Sequence, residues 1–92
     1  MHLEIVSPEA TLFSGEVESV IVPGSAGSFQ MLNNHAPIVS TLKEGVVSIS
    51  GKIEIHDGLK NKFKKQDDNT TLFEISSGTV EMRNNKLILL AD

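Results

Sequence analysis

Apolar and polar residues alternate along most of this chain, and the alternation has period two, the spacing of a strand that buries one face. Leu3 and Ile5 open the series and Ser7-Pro8-Glu9 closes its first run. Ala10 to Ser14 reads as a second short strand, with Leu12 directed inward and Phe13 over an edge, before Gly15 turns the chain. From Glu16 to Val22 the parity slips: Val17 is apolar, Ser19 is not, and Val20 and Val22 resume on the other register. A bulge near Glu18 would restore one continuous core face.

Further strands are predicted at Ser28 to Leu32 and at Ile38 to Leu42, with Lys43-Glu44-Gly45 closing a hairpin onto Val46 to Ser50. Val47 and Ile49, then Ile53 and Ile55, keep strand spacing across Gly51-Lys52. Thr71 to Ser76 supplies Phe73 and Ile75, Gly78 breaks the run before Val80 and Met82, and Leu87 and Leu89 return last. Between Arg83 and Lys86, Asn84-Asn85 fits a two-residue type I′ turn, because Asn enters the left-handed region at little cost. Asp57 to Asn69 is too long for a hairpin loop and reads as an excursion beyond the sheet. No segment has helical periodicity. About ten short strands with turns roughly every ten residues predict an all-β fold, an antiparallel flattened sandwich or barrel.

The most distinctive stretch runs from Pro23 to Pro37. Pro23-Gly24 and Gly27 interrupt regular structure at one end, Asn33-Asn34 turns the chain at the other, and Pro37 holds His35-Ala36 out of helical geometry. A lone histidine therefore sits on a stiff turn.

Composition narrows the function classes. The 92 residues form one domain with a modest core, able to remove roughly 60 to 65% of the unfolded surface from water. No cysteine is present, which leaves neither a disulfide framework nor a thiolate metal site. A net charge of −4 argues against a general nucleic-acid binder. The N-terminal residues lack the basic and apolar regions of a secretory signal, and no apolar run approaches the roughly 20 residues that cross a bilayer as a helix, so no direct membrane insertion is expected.

Candidate chemistry is sparse. Pro23-Gly24-Ser25-Ala26-Gly27 lacks the Lys-Ser/Thr ending of a phosphate loop and leads into a strand, so it reads as a plain turn. His2, His35 and His56 show no metal-ligand spacing. His35, Ser40 and Asp57 could be assembled into a triad on paper, but no nucleophile elbow or oxyanion loop accompanies them. His35 reads either as a turn residue bonded to nearby backbone or as an interface residue. Half of the eight basic residues fall between Leu59 and Lys65, around Phe63. They read as a solvated hairpin tip whose charges resist edge-to-edge aggregation, or as a contact for anionic headgroups.

Ser7-Pro8-Glu9, Phe13-Ser14-Gly15-Glu16-Val17-Glu18, Val22-Pro23-Gly24 with Gly27, His35-Ala36-Pro37, Leu42, Gly45, Gly78-Thr79-Val80-Glu81-Met82 and Leu89-Leu90-Ala91-Asp92 together resemble the epsilon subunit of bacterial F-type ATP synthases, called delta in mitochondria. The resemblance covers nearly the whole chain, as one epsilon-type N-terminal β-sandwich over residues 1–92. It implies a ten-stranded sandwich, without cofactor or catalysis of its own, that binds the gamma subunit and the c-ring. Such a rotor part couples ring rotation to ATP synthesis, peripheral on the cytoplasmic face of the bacterial inner membrane.

By that resemblance Ser7, His35 and Ser40 fall on the gamma interface. Ser28, Phe29, Gln30, Met31, Leu32, Asn33 and Asn34 fall where the family approaches the c-ring. Three positions depart from the family pattern: Ser28 stands where an acid is common, Asn33-Asn34 where Pro-Gly is common, and the Asp57 to Asn69 loop is longer. The chain stops before the family's C-terminal helical hairpin, so neither hydrolysis inhibition through that hairpin nor ATP binding is expected. The competing class is a free-standing β-sandwich module for carbohydrate or an anionic surface, and the absence of Trp and Tyr weighs against the sugar platform.

Overall fold

The computed structural model describes all residues from Met1 to Asp92. Ten strands form a single curled sheet: β1 (His2–Val6), β2 (Thr11–Glu16), β3 (Ser19–Gly24), β4 (Gly27–Leu32), β5 (Ile38–Leu42), β6 (Gly45–Ser50), β7 (Phe63–Asp67), β8 (Thr70–Ile75), β9 (Gly78–Arg83) and β10 (Lys86–Ala91). One short 3₁₀ segment, Asp57–Lys62, precedes β7. The hydrogen-bonded order is β2-β1-β10-β9-β5-β3-β6-β8-β7, with β4 on the remaining edge of β3. Two halves follow, β2-β1-β10-β9-β5 and β4-β3-β6-β8-β7, joined at a seam where Gly24 of β3 stands opposite Leu42 of β5.

The all-β expectation and the number of strands agree with this structure. One pairing is not antiparallel: β1 runs parallel to β10, with Leu3 beside Leu87 and Ile5 beside Leu89. These strands lie at the two ends of the chain and no tight turn joins them, so their direction is set by packing alone. Twenty-one buried apolar residues fill the space between the halves, among them Leu3, Ile5, Val20, Met31, Ile49, Leu87 and Leu89, all with no measurable exposure. Each fully buried side chain of this size contributes about 2 kcal/mol of transfer free energy.

The structure corrects several local expectations. Gly15 lies within β2, and the chain breaks at Val17-Glu18 in place of a bulge through one long strand. Pro23 and Gly24 belong to β3, whose turn is Ser25-Ala26. Pro23 is tolerated because its missing donor faces the other edge, where its carbonyl accepts from the Lys43 N–H at 2.9 Å.

Lys43-Glu44 does not close a hairpin. β5 pairs with β9 and meets β3 only at its end, whereas β6 pairs with β3 and β8. Both β5 and β6 run antiparallel to β3 along the same edge, and the turn between them sidesteps from one half of the sheet to the other.

Strand structure also stops at Ser50. Gly51 has φ +139°, a region closed to side chains, and its N–H turns to the Asn69 carbonyl at 2.8 Å. Ile53 is buried and Ile55 half-buried without joining a ladder. The tenth strand is instead β7, in the stretch read as an excursion: Phe63 pairs with Phe73 and stacks on it with ring centroids 4.8 Å apart. The expected type I′ turn is present, with φ 53° at Asn84 and 59° at Asn85.

Candidate functional site

The connection from β4 to β5 is locked by its asparagines. Asn34 has φ 61°, and the His35 N–H reaches back to the Leu32 carbonyl at 3.1 Å. Asn33 Oδ1 accepts from the Met1 ammonium at 2.8 Å and from Asn85 Nδ2 at 3.0 Å, while the Asn34 N–H donates to Asn85 Oδ1 at 2.7 Å. The β4–β5 connection, which joins the two halves of the sheet, is thus clamped to the β9–β10 turn. Asn33→Ala removes the shared acceptor and is expected to cost about 1.5 kcal/mol, a fall in melting temperature of roughly 6 to 12 °C. Asn33→Asp keeps the acceptor and should lose less in the same thermal melt.

His35 is half-exposed, and its Nδ1 donates to the Ala36 carbonyl at 2.7 Å. Ser40, half-buried on β5, donates to the Thr41 carbonyl at 3.1 Å. Ser7 caps its own turn: its hydroxyl donates to the Ala10 carbonyl at 3.2 Å and accepts from the Ala10 N–H at 3.3 Å. Asp57 pairs with Lys60 at 3.1 Å. The paper triad of His35, Ser40 and Asp57 is therefore not assembled, since each group is engaged locally.

Nor do Ser7, His35 and Ser40 converge on a point. Register places Ser40 in line with Val80, Leu89 and Ile5, with Ser7 beyond one end of that half and His35 beyond the other. Three ladder steps separate β5 from β1, about 14 Å. What they share is the half-sheet β5-β9-β10-β1, with Ser40 on its inner face; the outer face carries two rows that cross all four strands. One row is Val39, Glu81, Ile88 and Glu4; the other is Thr41, Thr79, Leu90 and Val6.

Val39 is 74% exposed and Leu90 49%, large values for apolar side chains. Sequence reading did not single them out, although the signal was present. Once Ile38, Ser40 and Leu42 face inward, Val39 must face out, and an apolar residue on the outward parity is the anomaly. Charge on this face is balanced, with Lys86 bonded to Glu4 at 3.2 Å.

In the stretch from Ser28 to Asn34, the strand alternation divides the residues. Ser28, Gln30 and Leu32 are exposed, Phe29 is half-buried and Met31 is wholly buried in the core. Asn33 is turned into the clamp. Ser28, Gln30, Leu32 and the Asn34 corner are thus the parts of this stretch that reach solvent, and Met31 does not.

The remaining surface offers no assembled chemistry. One groove, about 750 Å³, has Leu12, Val46, Phe63 and Leu72 on its walls with Glu9, Lys62, Lys64 and Glu74, and no ion pair joins those charges. Lys64 and Lys65 stand exposed on the edge strand β7, where charge deters pairing with another chain.

The ATP synthase delta/epsilon chain β-sandwich domain model matches residues 1–92, the whole chain. The epsilon chain of Campylobacter curvus (strain 525.92) is 37% identical over 92 residues, which is all of this chain and 60% of that one. The epsilon chain of Chlorobaculum tepidum is 39% identical over 90 residues, 98% of this chain and 86% of that one. That of Caulobacter vibrioides is 37% identical over 92 residues, 100% and 90% respectively. The chain therefore spans about three fifths of the longer relatives and most of the shorter ones. Among solved structures, a chain of the Tetrahymena thermophila mitochondrial ATP synthase central stalk and c-ring superposes with a TM-score of 0.72 at 14% identity, covering 99% of this chain and 62% of that one. That likeness concerns the fold.

Proposed function

The chain belongs to the ATP synthase delta/epsilon β-sandwich family, and from that membership we propose that it is a non-catalytic rotor subunit of the central stalk of an F-type ATP synthase. It binds the gamma subunit through the outer face of β5-β9-β10-β1 and the c-ring through the exposed side of β4 and its Asn33-Asn34 corner. In this role it couples proton-driven rotation to ATP synthesis, needs no cofactor, and sits peripherally on the cytoplasmic face of the bacterial inner membrane. No helix of the structure is long and apolar enough to cross a membrane.

The observation that carries the reading is the pair of solvent-facing apolar residues, Val39 and Leu90, on a half-sheet whose end turns are clamped together through Asn33, Asn34 and Asn85. A rotor part transmits torque through shape held rigidly. It requires a stiff body and sticky faces, not a pocket.

Tagged protein purified from gently solubilised membranes is expected to recover both gamma and the c-ring; recovery of neither defeats the reading. His35→Ala is a finer probe. The imidazole makes one hydrogen bond, to the adjacent backbone, so its loss should change stability by less than about 0.5 kcal/mol. Gamma binding should weaken about tenfold, equivalent to 1.4 kcal/mol. A large fall in melting temperature with unchanged gamma affinity would make His35 a purely structural turn residue.

A further inference from the structure

A curled sheet that does not close on itself leaves a gap between its end strands, and the unpaired main-chain groups there must be covered or shielded. In this chain the end strands are β2 and β7. β2 is paired to β1 and β7 to β8, and no ladder joins the two halves on this side. The seam at Gly24 and Leu42 lies at the other side. What fills the gap is the segment between β6 and β7. Glu54, His56, Gly58 and Leu59 share one groove with Thr11 to Ser14 of β2, and Ile53, Ile55 and Lys60 share another with Phe63 and Lys65 of β7.

Both ends of this segment are fixed. Gly51, at φ +139°, donates its N–H to the Asn69 carbonyl, and Phe63 stacks on Phe73. Between those points the attachment changes character. From Lys52 to His56 the only hydrogen bonds are those of the Leu59 N–H to the His56 carbonyl at 2.8 Å and of the Gly58 N–H to His56 Nδ1 at 3.3 Å, both inside the segment. The 3₁₀ turn that follows pairs with no strand, and its ion pair, Lys60 with Asp57 at 3.1 Å, is internal as well. Contact with the sheet rests on three side chains, Ile53 buried and Ile55 and Leu59 half-buried. Ordering a chain costs conformational entropy at every residue, and here the whole run from Lys52 to Lys62 is held by the burial of those three.

We propose that Lys52 to Lys62 is a latch over the open side of the sandwich: it releases as a unit while the ten strands stay paired, and its release uncovers the cleft between β2 and β7. Parting two elements is slow and costly where hydrogen bonds join them, and no hydrogen bond ties Lys52 to His56 to a strand. The seam between Gly24 and Leu42 does not involve the latch, so the halves remain joined when it is open. The free edges of β2 and β7, with Phe13 and Phe63 beside them, then face water. The body is thereby stiff at the seam and yielding on the opposite side. The inference invokes no partner and stands apart from the central-stalk reading.

The chain has no cysteine, so a single introduced thiol reports its own exposure. Ile53→Cys and Val47→Cys, the second at a site on β6 without exposure, are each reacted with an aromatic disulfide reagent under native conditions. Ile53→Cys should react at least about 100-fold faster, because only the latch must open. Its rate should rise little with urea while that of Val47→Cys climbs steeply, since urea sensitivity scales with the surface exposed. Equal rates, or an equally steep urea dependence, would mean that latch and sheet open together and would overturn the proposal.

Trypsin on the wild-type chain gives the same reading without a substitution that weakens an anchor. The first cuts should follow Lys52, Lys60 or Lys62 and leave the nicked chain with its β-sheet circular dichroism. First cuts elsewhere, or loss of the sheet signal with the first cut, overturn the latch.

Discussion

Gly78→Ala is expected to lower the melting temperature by roughly 12 to 24 °C, corresponding to a loss of about 3 kcal/mol. A β-carbon at residue 78 would press into the Leu90 carbonyl oxygen and lie 3.3 Å from the Leu90 carbonyl carbon and 3.5 Å from the Ala91 α-carbon. These are main-chain atoms of β10, so no rotamer change relieves the clash and β9 must move away from β10. Gly78 also pairs with Leu42 on its other side, and Leu42 is the residue through which β5 meets β3. The displacement is therefore transmitted to the seam between the two halves. Thermal unfolding followed by circular dichroism measures the loss, with Leu89→Ala, at a position without exposure, as a reference costing about 2 to 5 kcal/mol. A fall below about 4 °C would mean that the last residues of β10 yield freely and that the close approach carries no stability.

The second large effect is on assembly. Val39→Lys combined with Leu90→Lys should weaken gamma binding by at least about 100-fold, near 2.8 kcal/mol, because two solvated ammonium groups would have to be buried in an apolar contact. The free chain should tolerate both changes within about 0.5 kcal/mol each. Both side chains face solvent, and Lys at residue 39 stands across from Glu81. Val46→Lys supplies the contrast, since Val46 is 44% exposed but lies on β6 in the other half of the sheet. It should leave gamma affinity unchanged. Equal losses from the two faces would mean that generic surface apolarity, not the β5-β9-β10-β1 face, governs association.

Much of the architecture was legible because period-two alternation reports directly which side of a strand is buried. Leu3 and Ile5, Val47 and Ile49, Phe73 and Ile75, Val80 and Met82, and Leu87 and Leu89 all point into the core as their spacing predicts. Two of the failures share one cause. Alternation records burial but not hydrogen bonding, so Ile53 and Ile55 looked like a strand although they bury against the core from a segment outside the ladder. Lys64, Lys65 and Asp67 looked like a loop although they are the edge of the sheet. In the site, the stiff turn at His35 was readable from Asn33-Asn34 and Pro37. The outward apolar residues Val39 and Leu90 were not singled out, because an outward position is defined only once the neighbouring strands fix which face is inside.

The sequence by itself determined an all-β chain of short strands, the Asn84-Asn85 turn, a buried alternate face on most strands and a family resemblance carried by turn residues. Each of these is a local property, set by the conformations that neighbouring residues allow and by the side on which apolar groups recur. Only the tertiary structure decided that β1 lies parallel to β10, that β5 and β6 share one edge of β3 in place of forming a hairpin, and that Asn33 ties two distant turns together. It also decided that β4 is left bare. Those choices join residues far apart in the chain, where packing of the two halves selects the partner and no local spacing encodes it.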